Sequence, residues 1–398
     1  MPAMNRRQFL SSVTAAGLAC AANAAETEKR LCVAVIGHTG RGNYGHGVDT
    51  MWLAIPETEI VGVADADPKG LEAARKKLNG VRGFADYRAM LAELKPDLAA
   101  IAPRFADEHH DMALAAIEAG VRGIYMEKPF CRTPAEADAI VSACAKAGVK
   151  LAEAHRNRWH SALPVTKRAV DDGTLGQLLE IRARGKEDTR GGAEDLWVLG
   201  VHLFNLLHYF AGKPLACSAV MLKGNAPATA ADIVEGPEGI GPIAGDRVHA
   251  RFEMERGVVG YFDSIKSAGV AAAGFGVQLI GTKGLIDLRI DVEPLAHFVP
   301  GNPFQPGPDA RPWIPISSAG IGKPEPIADL KTQVAGHILP ARDLLAALRE
   351  NRPTLCSAED ARVTVEMVHG VFASHVAGGA RVALPLAERG HALAKWKA

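Results

Sequence analysis

Leu31-Cys32-Val33-Ala34-Val35-Ile36-Gly37-His38-Thr39-Gly40-Arg41-Gly42 is an apolar run that ends in glycines. An unbroken apolar run suits a strand covered on both faces of a parallel sheet. Glycine directly after it permits a tight turn and lets a phosphate approach backbone N–H groups. From Gly37 the spacing is G-x-T-x-x-G with Gly40 added; Gly40-Arg41-Gly42-Asn43-Tyr44-Gly45 is a literal G-x-G-x-x-G. Only the first register touches the strand, as the tight turn requires. A helix is expected over 45–53. A second strand, Ile60-Val61-Gly62-Val63-Ala64-Asp65, ends in an acid at the distance where a ribose would lie.

The same alternation continues. Helices are expected over 68–78, 87–94 (capped by Asp86), 108–119 and 134–147, with strands over 83–85, 97–102, 121–126 and 149–152. Thr133-Pro134-Ala135-Glu136 supplies an N-cap, a first-turn proline and a capping glutamate. Six strands alternating with helices mean a doubly wound parallel sheet, a Rossmann domain over 30–156. After a helix over 159–171 the pattern changes to longer strands, over 177–185, 215–223, 246–255, 257–265, 275–280 and 284–290. Arg256-Gly257 and Thr282-Lys283-Gly284 read as hairpin turns. The second domain, 157–398, is therefore an α+β unit with a large, mostly antiparallel, open-faced sheet. Residues 224–245 and 298–326 read as irregular loops, the second a candidate lid or subunit contact. Helices over 333–350 and 358–378 and a strand over 380–384 close the chain.

The 398 residues are 48% hydrophobic and 23% charged, with 45 Lys+Arg balancing 45 Asp+Glu. That balance argues against a nucleic-acid partner, and no apolar run is long enough to span a bilayer. Residues 1–24 differ in kind. Arg6-Arg7-Gln8-Phe9-Leu10, an Ala-rich run and Ala22-Asn23-Ala24 read as a twin-arginine export signal with its cleavage site. A periplasmic or other extracytoplasmic location is expected. The five cysteines beyond it are scattered, without disulfide or metal spacing, and no metal is expected.

Glu127-Lys128-Pro129 follows the fifth strand, at the carboxyl edge where sheets of this kind do chemistry. A lysine desolvated there loses its proton more easily. With the glycine turn, Asp65, His109 before Ala115-Ala116-Ile117-Glu118-Ala119-Gly120, Arg158, Gly200-Val201-His202 and the tail from Ser374 to Leu386, the chain resembles the Gfo/Idh/MocA family of NAD(P)-dependent oxidoreductases. The resemblance covers nearly the whole mature chain. It implies hydride transfer at a ring carbinol of a sugar, glycoside or cyclitol, with Lys128 orienting the hydroxyl and His202 the other acid/base. Many members carry Asp one turn before this His; here Val198 stands there, and Asn205 replaces an acid after it. Asp195, seven residues before His202, either substitutes for the carboxylate from the same helix face or only caps the helix.

Cofactor contacts are expected from Gly37, His38, Thr39, Gly40, Arg41 and Gly42 of the turn, and from Asp65, Pro103, His109, Glu127 and Lys128. Asp65 would accept from both ribose hydroxyls and repel a 2′-phosphate, favouring NAD over NADP. Substrate contacts are expected from Arg158, His155, Lys186 and Asn205, and Trp159 reads as a core residue. Export implies a nucleotide that stays bound. The alternatives are a redox-neutral NAD-dependent glycosidase or lyase working through a transient keto-sugar, and a non-catalytic carbohydrate-binding relative. A homo-oligomer, dimer or tetramer, is expected from the open sheet.

Overall fold

The computed structural model describes residues 29–268, 274–305, 307 and 309–396. The twin-arginine reading of residues 1–24 lies outside them. Six parallel strands, β1 (Leu31–Ile36), β2 (Thr58–Ala64), β3 (Arg82–Phe84), β4 (Leu98–Ile101), β5 (Gly123–Met126) and β6 (Lys150–Glu153), are ordered β3-β2-β1-β4-β5-β6. The order reverses beside β1, so the carboxyl ends of β1 and β4 flank the crevice where ligands bind in such sheets.

The expected helix over 45–53 does not form. Its place is taken by turns and a short 3-10 helix, Met51–Ala54. Gly40, Gly42, Asn43, Gly45 and Gly47 all have positive φ, which no right-handed helix can contain. The uncovered face of the sheet is closed from elsewhere. Val33, Val35, Leu98, Ala100 and Tyr125 pack against Trp52 and, from helix Ile338–Glu350, Ala341, Leu344 and Leu345. A helix from the second half of the chain thus completes the first core. The opposite face (Ala34, Ile36, Ile101, Ile124) joins the core of the second domain.

Other helices start where the sequence places their caps. Asp86 accepts from the Arg88 amide and Thr133 from that of Glu136. The Glu136 carboxylate reaches back to the Arg132 amide, one residue earlier than a capping box would have it. The helix expected from 159 begins at Ala162, after a 3-10 turn, Arg156–Trp159. The second sheet runs through Gly320–Ile321, Ile314–Ser317, Ala296–Pro300, Gly284–Arg289, Gly276–Gly281, Leu178–Arg184, Val259–Ile265, Arg247–Met254, Pro214–Lys223 and Val382–Ala383. The pair Leu178–Arg184 with Val259–Ile265 is parallel; the other neighbours on this path are antiparallel. Alternating burial along Arg247–Met254 and Val259–Ile265 leaves one face open and buries the other, with Gly200–Ala211 and Ala358–Val376 among its helices.

Two loop expectations need correction. Within 298–326, Ile314–Ser317 and Gly320–Ile321 extend the sheet edge; Pro and Gly between them mask the strand pattern in the sequence. Within 224–245, Val234–Glu235 pairs with Pro242–Ile243, and the Glu238 carbonyl accepts from the Ala106 amide at the first domain. Cys131, Cys144, Cys217 and Cys356 are buried free thiols, Cys32 is partly buried, and no metal-binding cluster occurs among the described residues. No described helix is long and apolar enough to cross a membrane.

Candidate active site

Lys128 follows β5 and is buried. Its Nζ donates to the Val198 carbonyl oxygen at 3.0 Å. Burial pulls its pKa below the ordinary lysine value against the opposing pull of Glu127 and Glu238. The Val198 carbonyl is free because helix Ala193–Val198 breaks at Leu199 (φ −125°, ψ −37°) before helix Gly200–Ala211 begins. Where the resemblance implies an Asp, this chain therefore offers the lysine a backbone oxygen instead of a carboxylate.

The same break overturns the expected alliance of Asp195 with His202. The two residues sit on different helices, so seven-residue spacing no longer aligns them. Asp195 is fully buried, accepts from Ser264 Oγ at 2.6 Å and from the Glu187 amide at 3.2 Å, and does not line the cavity that holds Lys128. Burial raises its pKa to about 6 despite those hydrogen bonds. A carboxyl raised from 3.8 in the unfolded chain stabilises the fold at low pH, and that contribution is lost as pH rises from about 4 through 6. We expect Asp195→Asn to remove this slope and to unfold about 2–3 kcal/mol less readily, relative to the parent, at pH 7.5 than at pH 4. Urea titrations at the two pH values check it; an unchanged slope would assign the titration elsewhere.

Lys128 and His202 share one cavity of about 170 Å³, with His46, Arg156, Lys186 and Arg190 among its walls. His202 is kept neutral: burial first, then His155, Lys128 and Arg156, push its pKa well below the ordinary histidine value. His155 stands behind it, 2% exposed, with the two Nδ1 atoms 2.9 Å apart. On its far side His155 Nε2 lies 3.0 Å from Glu153 Oε2. Glu153 went unnoticed in the sequence, because the chain bends at Ala154, where the His155 amide donates to the Glu153 carbonyl oxygen at 2.7 Å.

Three of the four expected substrate residues do not line this cavity: His155, which stands behind His202, and Arg158 and Asn205. Arg158 stacks on Tyr209 at 4.0 Å and donates to the Leu355 and Asn205 carbonyl oxygens; Asn205 Nδ2 donates to Cys356 Sγ. They brace the hinge beneath the site. Trp159 is a core residue, its Nε1 donating to Asp343. The wall carries Arg156 in Arg158's stead, paired with Asp291 at 2.7 Å. Consecutive residues on a 3-10 turn face different ways, so the sequence alone did not choose between them.

The nucleotide residues divide. A second cavity, about 420 Å³, opens beside Gly37, His38 and Asp65. Asp65 is 2% exposed and accepts from Thr39 Oγ1, the Thr39 and Asp67 amides and Tyr44 Oη. Burial works against its ionisation, but these bonds hold its pKa below the ordinary value. His38 and Arg41 are held by Glu108, and Arg41 also by Asp107. The Gly40 amide donates to Asn43 Oδ1. His109 is corrected from a cofactor contact to a fastening. Fully buried, its ring nitrogens lie 2.7 Å from the carbonyl oxygens of Pro103 and Pro129, and neither His109 nor Pro103 lines a cavity described here.

The cavity beside Asp65 has room for the adenosine ribose of a dinucleotide, but Thr39, Tyr44 and Asp67 already engage both Asp65 oxygens, so the expected bonds from both ribose hydroxyls would need Thr39 or Tyr44 to give way. Between the two cavities lies the glycine loop. A Cβ on Gly42 would meet the Arg104 amide at 2.3 Å, and one on Gly45 would meet Ala102 O and Glu127 at 2.6 Å. His46 fixes this course by bonding Glu127 Oε1 through its amide and Nδ1 at 2.9 and 2.7 Å. Burial opposes ionisation of Glu127, yet His46 and Lys128 hold its pKa down to about 2. A dinucleotide reaching from Asp65 to Lys128 therefore shares its path with residues 42–46.

A model of an oxidoreductase family with an NAD-binding Rossmann fold matches residues 31–155, and that of the same family's C-terminal alpha/beta domain matches 167–384. A D-apiose dehydrogenase of Paraburkholderia graminis is 30% identical over 220 residues, 52% of this chain and 56% of that protein. A D-glucoside 3-dehydrogenase of Escherichia coli is 26% identical over 205 residues, 48% of this chain and 56% of that protein. The match thus spans little more than half the length of either relative. A levoglucosan dehydrogenase solved with NADH and levoglucosan superposes with a TM-score of 0.72 at 20% identity, over 90% of this chain and all of that one. At that identity the likeness shows the fold.

Proposed function

This chain belongs to the Gfo/Idh/MocA oxidoreductase family, and on that premise we propose that it is an NAD(P)-dependent dehydrogenase of a sugar, glycoside or cyclitol hydroxyl. The observation that carries the reading is the single small cavity in which buried Lys128 and neutral His202 both take part. Lys128 would orient the hydroxyl and His202 would accept its proton. Lys186, Arg156 and Arg190 supply donors for the remaining hydroxyls of a polyol.

Gly37, His38 and Asp65 would hold the adenosine end of the nucleotide. When bound, the nucleotide supplies the hydride acceptor. The buried carboxylate at Asp65 favours NAD over its 2′-phosphorylated form. Relatives named for apiose, levoglucosan and glucosides support the substrate class. We further propose export through the twin-arginine leader with the nucleotide retained, and assembly into a homo-oligomer through the open sheet face.

A redox-neutral cycle through a keto-sugar is the second reading, favoured by the leader-like residues 1–24, since a nucleotide carried out of the cytoplasm would have to be reset within each cycle. The deciding experiment incubates the protein with NAD and sugars deuterated at single ring carbons. Deuterium appearing in the nucleotide, or exchanging between sugars, supports hydride chemistry. No transfer from any sugar, glycoside or cyclitol in the panel would leave a binding protein.

A further inference from the structure

Glu153, at the end of β6, is fully buried, and among the described residues neither carboxylate oxygen has a hydrogen-bond partner. His155 Nε2, the polar atom 3.0 Å away, is also without one; the two are in ion-pair contact but out of hydrogen-bond alignment. A carboxylate stripped of water costs several kcal/mol unless paired, so its retention calls for a role. Resting on the dehydrogenase reading, we propose that Glu153, His155 and His202 form an internal proton relay, in which Glu153 and His155 position and store the proton that His202 removes from the substrate hydroxyl.

The relay requires one protonation pattern. With Glu153 as a carboxylate, which only accepts, the single proton of a neutral His155 is placed on Nε2, facing it. His155 Nδ1 is then a bare acceptor. The 2.9 Å approach of the two Nδ1 atoms needs one proton between them, and His202 Nδ1–H supplies it. That leaves the His202 Nε2 lone pair for the cavity. As the carbinol C–H electrons leave as hydride to the oxidised nicotinamide of that reading, the O–H bond breaks and its proton goes to His202 Nε2. The Nδ1 proton of His202 passes to His155 Nδ1. The result is a carbonyl compound, a neutral His202 carrying its proton on Nε2, and a His155 imidazolium beside the Glu153 carboxylate. Reversal restores every proton.

Groups facing the relay are few. Lys128, Arg156 and His46 act on His202 from the cavity side, and Cys356 and Tyr125 lie in the field of Glu153 from behind. Glu153 has no solvent contact, so the relay ends inside the protein. It keeps the proton for return, as a cycle of oxidation and re-reduction requires.

The test uses full-length protein with ¹⁵N-labelled histidine. Long-range ¹H–¹⁵N correlation should find His155 protonated on Nε2 and His202 on Nδ1. With a turned-over sugar, Glu153→Gln should lower kcat on the order of 100-fold at unchanged KM, move the acid limb of the kcat profile to lower pH, and be largely rescued by Glu153→Asp. His155 protonated on Nδ1, or Glu153→Gln with parental kcat and pH limb, would overturn the relay while leaving the dehydrogenase reading intact. Absence of turnover by the parent would overturn that reading instead, and the tautomers alone would then decide the relay.

Discussion

Lys128→Ala should lower kcat/KM for the sugar about 100- to 10,000-fold, the range for loss of a positioned acid or base. Lys128 is buried, its amine meets the Val198 carbonyl oxygen, and it shares a small cavity with His202. Removing it would take away the group proposed to orient the hydroxyl and share its proton. Lys128→Met, which preserves most of the side-chain volume without the charge, should behave like the alanine variant and separates chemistry from packing. Deuteride transfer from labelled sugar is the readout, with nucleotide affinity measured alongside. Activity within a few-fold of the parent for both variants would remove the lysine from the chemistry.

The second large effect concerns the fold. Leu344→Ala should destabilise the protein by about 2–5 kcal/mol. Leu344 is fully buried and belongs to the cluster built on Val33, Val35 and Tyr125, although some three hundred residues of chain separate it from β1. Near it Tyr125 Oη meets His337 Nδ1 at 2.5 Å, a second tie between the halves. The loss should appear in hydrogen exchange as reduced protection of β1 amides together with those of helix Ile338–Glu350. If β1 keeps its protection, the first sheet is closed without that helix.

Much of this architecture could be read from local signals. Apolar runs, cap residues and hairpin turns depend on neighbours in sequence, and they located β1 to β6 and the strands after residue 177. The glycine turn misled at one point. Four glycines and an asparagine with positive φ cannot build the helix that usually follows such a turn, and no local signal says that residues 338–350 substitute for it. At the candidate site, the sequence singled out Lys128 after a strand, Lys186 in a loop and His202 at a helix start, and the fold brings the three to one cavity. Asp195 was not, because a break at Leu199 defeats helical arithmetic. Glu153 falls one residue past the expected strand over 149–152; only the fold reveals a fully buried carboxylate, one imidazole away from the cavity. Arg104 and Glu238 meet at 3.7 Å across the domain boundary, a distance that no reading of either segment alone could supply.

If the nucleotide runs from Asp65 to Lys128, the backbone of Gly42–His46, seated on the strand ends, would act as a tethered competitor present at a fixed local concentration. A loop that lifts in only one molecule in about a hundred would weaken the titrated affinity for external nucleotide about a hundredfold, with every direct contact unaltered. Measured binding strength would then report the flexibility of a few glycines as much as the chemistry of Asp65.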